Sequence, residues 1–149
     1  MHALSRRPAT HVVSQDFGRD VVFVSLLDAY RPSGGIARAE DLALRWRDRD
    51  PGSAWLLARW IARGDALHFA WEHEHWLPLF QFYASSPLLR EGMAPVLDEL
   101  KAVLDPWELA RWFATPNAWL RERRPADLMA RQWEQVREAA RADRFVLAG

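Results

Sequence analysis

The chain has 149 residues, half of them hydrophobic and 27% charged, with twenty basic side chains against twenty acidic ones. That is one ordinary domain, or two small ones sharing a core, and the charge balance argues against a strongly basic nucleic-acid protein. There is no cysteine, which excludes a disulfide scaffold, a thiolate metal site and a cysteine nucleophile together. A cytoplasmic protein is the natural expectation, because small secreted domains usually need disulfides. Arg6 and Arg7 have no apolar run behind them, so no signal peptide is read. The run from Val21 to Leu27, broken by Ser25, is too short to span a bilayer, so no membrane role is expected.

Two biases remain. Nineteen of the twenty basic residues are Arg, with Lys101 the exception. A GC-rich genome explains this, although Arg also suits contacts with carboxylate or phosphate. There are nine Trp residues, more than one small core readily hides, and Trp is enriched at interfaces.

Residues 1–15 are polar and unpatterned and read as a loose tail. Phe17, Val21, Val24, Leu27 and Tyr30 then recur at helical steps, predicting a helix from about Arg19 to Tyr30. Pro32-Ser33-Gly34-Gly35 ends it. A second helix is expected from Ala37 to Arg47, with Ile36, Ala39, Leu42, Ala43 and Trp46 on its apolar face. Asp50-Pro51-Gly52 breaks it, and a third follows from Ser53 to Ala62, with Leu57, Trp60 and Ile61 inward. Gly64 suits the left-handed position after a helix.

Leu67 to Phe82 reads as a two-stranded hairpin with Pro78 at an edge or bulge. Met93, Val96, Leu97, Leu100, Val103 and Leu104 form an amphipathic stripe. Asp105-Pro106-Trp107-Glu108 has the spacing of a capping box. Thr115-Pro116 repeats the cap-then-Pro pattern and opens a short turn to Leu120. Pro125 starts a last helix, with Met129, Trp133, Val136 and Ala140 inward and an end near Arg141 or Asp143. An apolar tail, Phe145 to Gly149, remains after it. The chain is thus expected to be mainly α: a helical unit over 16–66 of degenerate helix-turn-helix type, then a hairpin and a helical unit over 67–149.

The candidate chemistry is sparse. His73 and His75 would share a strand face near His68, but a solvated hairpin tip explains them without a metal. No nucleophile elbow or phosphate-binding loop is present. The paired acids Glu40-Asp41, Asp98-Glu99 and Glu72/Glu74 suit solvated faces. No catalytic residue, metal or cofactor is therefore assigned, and no enzyme activity is expected.

Three helices followed by a hairpin have the order of a helix-turn-helix with a wing. Arg45, Arg47, Arg59 and Arg63 could then meet phosphates of operator DNA. Asp48, Asp50 and Asp65 are interleaved with them, and residues 1–67 carry only a net +2. Residues 68–109 form an acidic belt of −5, and residues 110–149 carry +3.

The C-terminal half carries a more specific pattern. Phe80-Gln81-Phe82 closes the hairpin; Trp112 to Leu120 contains Thr115-Pro116-Asn117; Arg123-Arg124-Pro125-Ala126-Asp127-Leu128 follows. This order resembles the toxin-binding domain of antitoxins in the Xre/MbcA/ParS group. There a P-x-F-Q-F strand precedes a T-P-N-x-x-L turn and an R-x-P-x-D-L-L helix start. The likeness spans Leu67 to Gly149, and the family's glycines after the turn and early in the last helix are replaced by Arg121-Glu122 and Gln132-Trp133. Most of the signature is structural: Thr115 and Pro116 would start a turn, Asn117 would bond local backbone, and Pro125 and Asp127 would open a helix.

The resemblance implies a protein that binds and neutralises a toxin of the NAD-consuming RES type by steric occlusion of its cleft. It implies a docking surface around Trp119, Arg121, Arg123, Arg124, Arg144, Phe145, Leu147 and Gly149. Phe145 and Leu147 folding back on the core is the bland alternative. A homo-oligomer is expected. The other readings are a winged-helix-like DNA-binding regulator and an orphan protein-interaction module of the same fold.

Overall fold

Phe23, Leu26 and Tyr30 are buried at steps of three and four, the spacing that turns one helical face inward. They lie on α1 (Pro8–Tyr30) in a computed structural model that describes residues 8–84 and 86–149, with side chains from Gly18 onward. Of the expected face, Tyr30 is buried and Leu27 half-buried, but Val21 and Val24 are 54% and 64% exposed. A run rich in valine supports either face by period alone, and packing against distant residues decides between them. The side chain of Phe17 lies outside the described ones. α1 begins at Pro8, inside the stretch read as a tail, and residues 1–7 fall outside the described residues.

Gly34 and Gly35, at φ of 111° and 83°, turn the chain into β1 (Ile36–Arg38). That strand replaces the expected start of the second helix, so α2 spans Ala39–Arg47. α3 (Ser53–Arg63) ends on Gly64 at φ 72°, as its position predicts. β2 (Phe69–Trp71) and β3 (Glu74–Pro78) form the expected hairpin. Both residues of its turn, Glu72 and His73, have positive φ (50° and 65°), as a two-residue hairpin turn of the tight type requires. β1 adds to β3, giving an antiparallel sheet in the order β1-β3-β2, with Ile36 opposite Pro78 and Phe69 opposite Trp76.

Leu79–Gln81 is a short 3-10 turn rather than a strand end. α4 (Met93–Leu100) buries Met93, Val96, Leu97 and Leu100 of the predicted stripe, while Val103 and Leu104 lie half-buried in the turn beyond it, and α5 (Pro106–Ala114) opens with the predicted capping box. Asp105 accepts from the Glu108 amide at 2.8 Å, and Glu108 accepts from the Asp105 amide at 3.0 Å. Thr115 does not start the next turn. It follows α5, and its hydroxyl donates to the Arg111 carbonyl at 2.6 Å. The cap belongs to Asn117, which accepts from the Trp119 amide at 2.9 Å. The single last helix is two: α6 (Pro125–Leu128) and α7 (Trp133–Leu147). α7 runs past the expected end, so most of the apolar tail is helix.

The molecule is mainly helical with one hairpin in a small antiparallel sheet, as expected. Its larger core joins α1, α4, α5, α6 and α7 with Leu67, Phe69 and Phe80. The Tyr30 hydroxyl donates to the Ala110 carbonyl inside it, and burial pushes the phenol's pKa well up. A smaller core joins Leu42, Trp46 and Leu57 of α2 and α3 to Leu77 and Phe82. The packing therefore runs across the boundary expected at residue 66, because α1 belongs with the C-terminal helices. Among the described residues no helix is long and apolar enough to cross a membrane.

Candidate functional site

Of the nine Trp residues, Trp46 is buried, six are half-buried, and Trp55 and Trp119 are exposed at 63% and 62%. Trp119 is nevertheless held in place. Its backbone is fixed by the Asn117 cap, and its indole Nε1 donates to Asp143 Oδ1 at 3.0 Å. The other carboxylate oxygen of Asp143 accepts from Trp112 Nε1 at 2.8 Å and from Asn117 Nδ2 at 2.9 Å. One side chain of α7 thus ties down the whole 112–119 segment. Asp143 had no signal in the sequence, since its partners lie 24 to 31 residues away.

Val146 and Leu147 follow Asp143 at i+3 and i+4, so they extend the same side of α7. They are 70% and 53% exposed, and Phe145, on the other side, is 83% exposed. Phe145 and Leu147 do not fold back on the core. Gly149 is exposed at φ 72°. Trp119, Val146 and Leu147 therefore make an exposed apolar surface at the end of α7, the kind of patch that marks an interaction site.

The expected arginines do not all join that surface. Arg121 is exposed. Arg123 Nε donates to the Leu120 carbonyl at 2.9 Å, and Arg124 reaches the Ala29 carbonyl of α1 at 2.7 Å. Arg124 is thus a brace between α6 and α1. Arg144 pairs with Glu99 of α4 at 2.6 Å, beside Arg141 at 3.1 Å and Arg137 at 3.5 Å. Burial pushes the Glu99 carboxyl up, but Arg141, Arg144 and Arg137 together outweigh it and hold it below its ordinary value. The network clamps α7 to α4 and presents no free basic face.

The motif residues are mostly structural. Gln81 is fully buried; its amide donates to the carbonyls of Leu67 and Pro78, and its oxygen accepts from the Leu67 amide at 2.8 Å. Phe80 and Phe82 enter the two cores, and Leu120 and Pro125 are buried. Pro116 and Asp127 are exposed at the openings of their turns. Arg121 and Glu122 both have positive φ, 58° and 62°, where the resembled family carries Gly.

Of the residues considered for DNA, Arg45 and Arg47 lie on α2 and Arg59 and Arg63 on α3. Arg45 lines a cleft between α2 and residues 79–90, and Arg59 lies 5.2 Å over the exposed Trp55 ring on α3. The hairpin tip that would be a wing carries Glu72 and Glu74, and Glu74 with Asp41 engages Arg38. His73 sits in the turn, and it is His68 and His75 whose rings meet, 5.2 Å apart. Among the described residues no group of three metal-binding side chains occurs. No protein-family model, curated protein or solved structure matches this chain.

Proposed function

We propose that this chain is an antitoxin-like protein that docks on a cognate toxin through Trp119 and the end of α7. The carrying observation is the exposed apolar surface of Trp119, Val146 and Leu147, with Trp119 pinned by Asp143. A Trp already fixed in its bound orientation loses little entropy when a partner covers it. The motif likeness supports a toxin of the NAD-consuming RES type as that partner. One backbone detail supports the likeness. The left-handed Arg121 and Glu122 stand where the family has Gly. Inhibition is by steric occlusion of the toxin's cleft, without catalysis by this chain.

The test is co-expression with the product of the adjacent reading frame, scored for growth and co-purification. Rescue of growth arrest with a stable complex is expected, and its loss in a Trp119→Ser/Leu147→Ser variant. A frame that is neither toxic nor complexed overturns the reading. Deleting residues 145–149 is the companion variant, since it spares the Arg144–Glu99 pair. Full neutralisation by that truncated chain removes the helix end from the mechanism.

One observation favours a second reading. The order helix–strand–helix–helix–strand–strand, with β1 beside β3, is the connectivity of a winged helix. It supports a DNA-binding regulator, alone or joined to the first role. Such binding should fall steeply with salt and depend on Arg45, Arg59 or Arg63. Binding that ignores salt and these arginines overturns it.

A further inference from the structure

A cleft of about 470 Å³ opens between α2 and the chain from Leu79 to Arg90. It shares no residue with the surface around Trp119. Its floor is apolar, built from Leu42, Trp46, Phe80 and Phe82. Arg45, Arg49 and Arg90 line its walls, and no carboxylate lines it among the described residues. Arg45 and Arg90 thus bring two guanidiniums to the edge of one apolar floor. Arg45 stands in the last turn of α2, and Arg49 in the turn that follows the helix. Arg90 is oriented from two sides: its Nε donates to the Phe80 carbonyl at 2.9 Å, and its guanidinium lies 5.2 Å over the Tyr83 ring. Those contacts fix the plane of the fork, the preorganisation that a bidentate grip on carboxylate or phosphate needs.

We propose that this cleft binds a small organic anion, with a phosphate or carboxylate joined to a planar apolar body. Its volume and its apolar floor are those of small-molecule sites. Arg45 and Arg90 recognise the anionic group, and Trp46, Phe82 and Tyr83 cover the body. The inference does not depend on the partner proposed above.

Calorimetric or ligand-observed NMR titration of the full chain with phenyl phosphate, benzoate, inorganic phosphate and phenol tests it. Phenyl phosphate or benzoate should bind saturably, with a Kd on the order of 1 mM for a ligand of that size. The tighter of the two names the anionic group. Inorganic phosphate and phenol should each bind about tenfold more weakly, since each lacks half of the recognition. Arg45→Gln, on an exposed helical position, should weaken binding by about tenfold. Absence of saturable binding, equal binding of phenol or inorganic phosphate, or an unaltered Kd in a folded Arg45→Gln chain each overturns the proposal. If that variant unfolds, the wild-type chain decides: affinity should fall between about 50 and 500 mM salt, and salt-indifferent binding overturns it.

Discussion

The Trp119 indole donates to Asp143 Oδ1 at 3.0 Å while its ring stands 62% exposed. A large apolar ring is thus anchored at its polar edge and offered to solvent on its faces. The anchor also serves the half-buried Trp112 and the buried Asn117. Asp143→Ala should therefore act twice. It strips the acceptor from two shielded donors, which should lower stability by about 2 kcal/mol. It also frees Trp119, which should weaken partner binding beyond what the lost stability explains. Urea unfolding and complex affinity, measured on the same variant, separate the two effects. A variant as stable as wild type would remove Asp143 from the role of organiser.

Gly92 and Trp133 interlock. A Cβ on Gly92 would lie 2.4 Å from Trp133 Cγ and 2.6 Å from its Cβ, too near for any side chain. The Gly92 backbone itself, at φ −79° and ψ −10°, is ordinary, so only the contact forbids a larger residue. Gly92→Ala should cost about 3 kcal/mol, at the upper end of overpacking effects. In a Trp133→Ala background the same change should be nearly neutral. Thermal or urea unfolding of the four chains measures the coupling, and additive losses would show that the two residues act independently.

Local signals in the sequence located most elements, and long-range packing decided what they missed. The Asp105–Glu108 box, the Gly64 helix stop and the stripe of α4 are each written within a few residues, and each is present in the structure. β1 was not legible because three residues cannot display a period, and its pairing is with β3, some forty residues away. The buried side of α1 is ambiguous in the sequence because Val21 and Val24 offer one face and Phe23 and Leu26 another. At the candidate site, Trp119 is legible as an apolar residue beside Arg121-Glu122, and Leu147 as part of an apolar tail after a polar helix. Asp143 and Glu99 were not, because an acid on a helix reads as solvated until its distant partners are known. The converse holds for the motif arginines: Arg124 and Arg144 look free in the sequence but find partners on α1 and α4, the half-buried Ala29 carbonyl and the buried Glu99.

Arg121 and Glu122 hold left-handed backbone at φ 58° and 62° without being Gly. Each side chain there carries a steric cost of about 1 kcal/mol. Both are exposed. Gly at either position relieves the strain, partly offset by the greater freedom that Gly gives the unfolded chain. Arg121→Gly and Glu122→Gly should each raise stability by about 0.5 kcal/mol, seen as a higher Tm. Arg121→Val, with its branched side chain, should lower it. A lower Tm in the Gly variants would mean that the side chains, not the backbone, hold the turn.

Glu99 makes the acid sensitivity of the α4–α7 contact predictable. Its side chain is 9% exposed and faces Arg137, Arg141 and Arg144. Its pKa in the folded chain lies below the ordinary value of 4.5. The folded state then binds the proton more weakly than the unfolded state does. The stabilisation is fully present above pH 4.5 and is lost as the pH falls through the lower folded value. Above pH 5, Glu99→Gln should lower stability by about 1–3 kcal/mol, because three guanidiniums lose their shared counter-charge. Below that range the gap between wild type and variant should narrow as wild-type Glu99 becomes protonated. Unfolding free energies of both chains between about pH 2.5 and 7 check this. A gap that stays constant across that window would show that the carboxylate's charge does not hold α7 on α4.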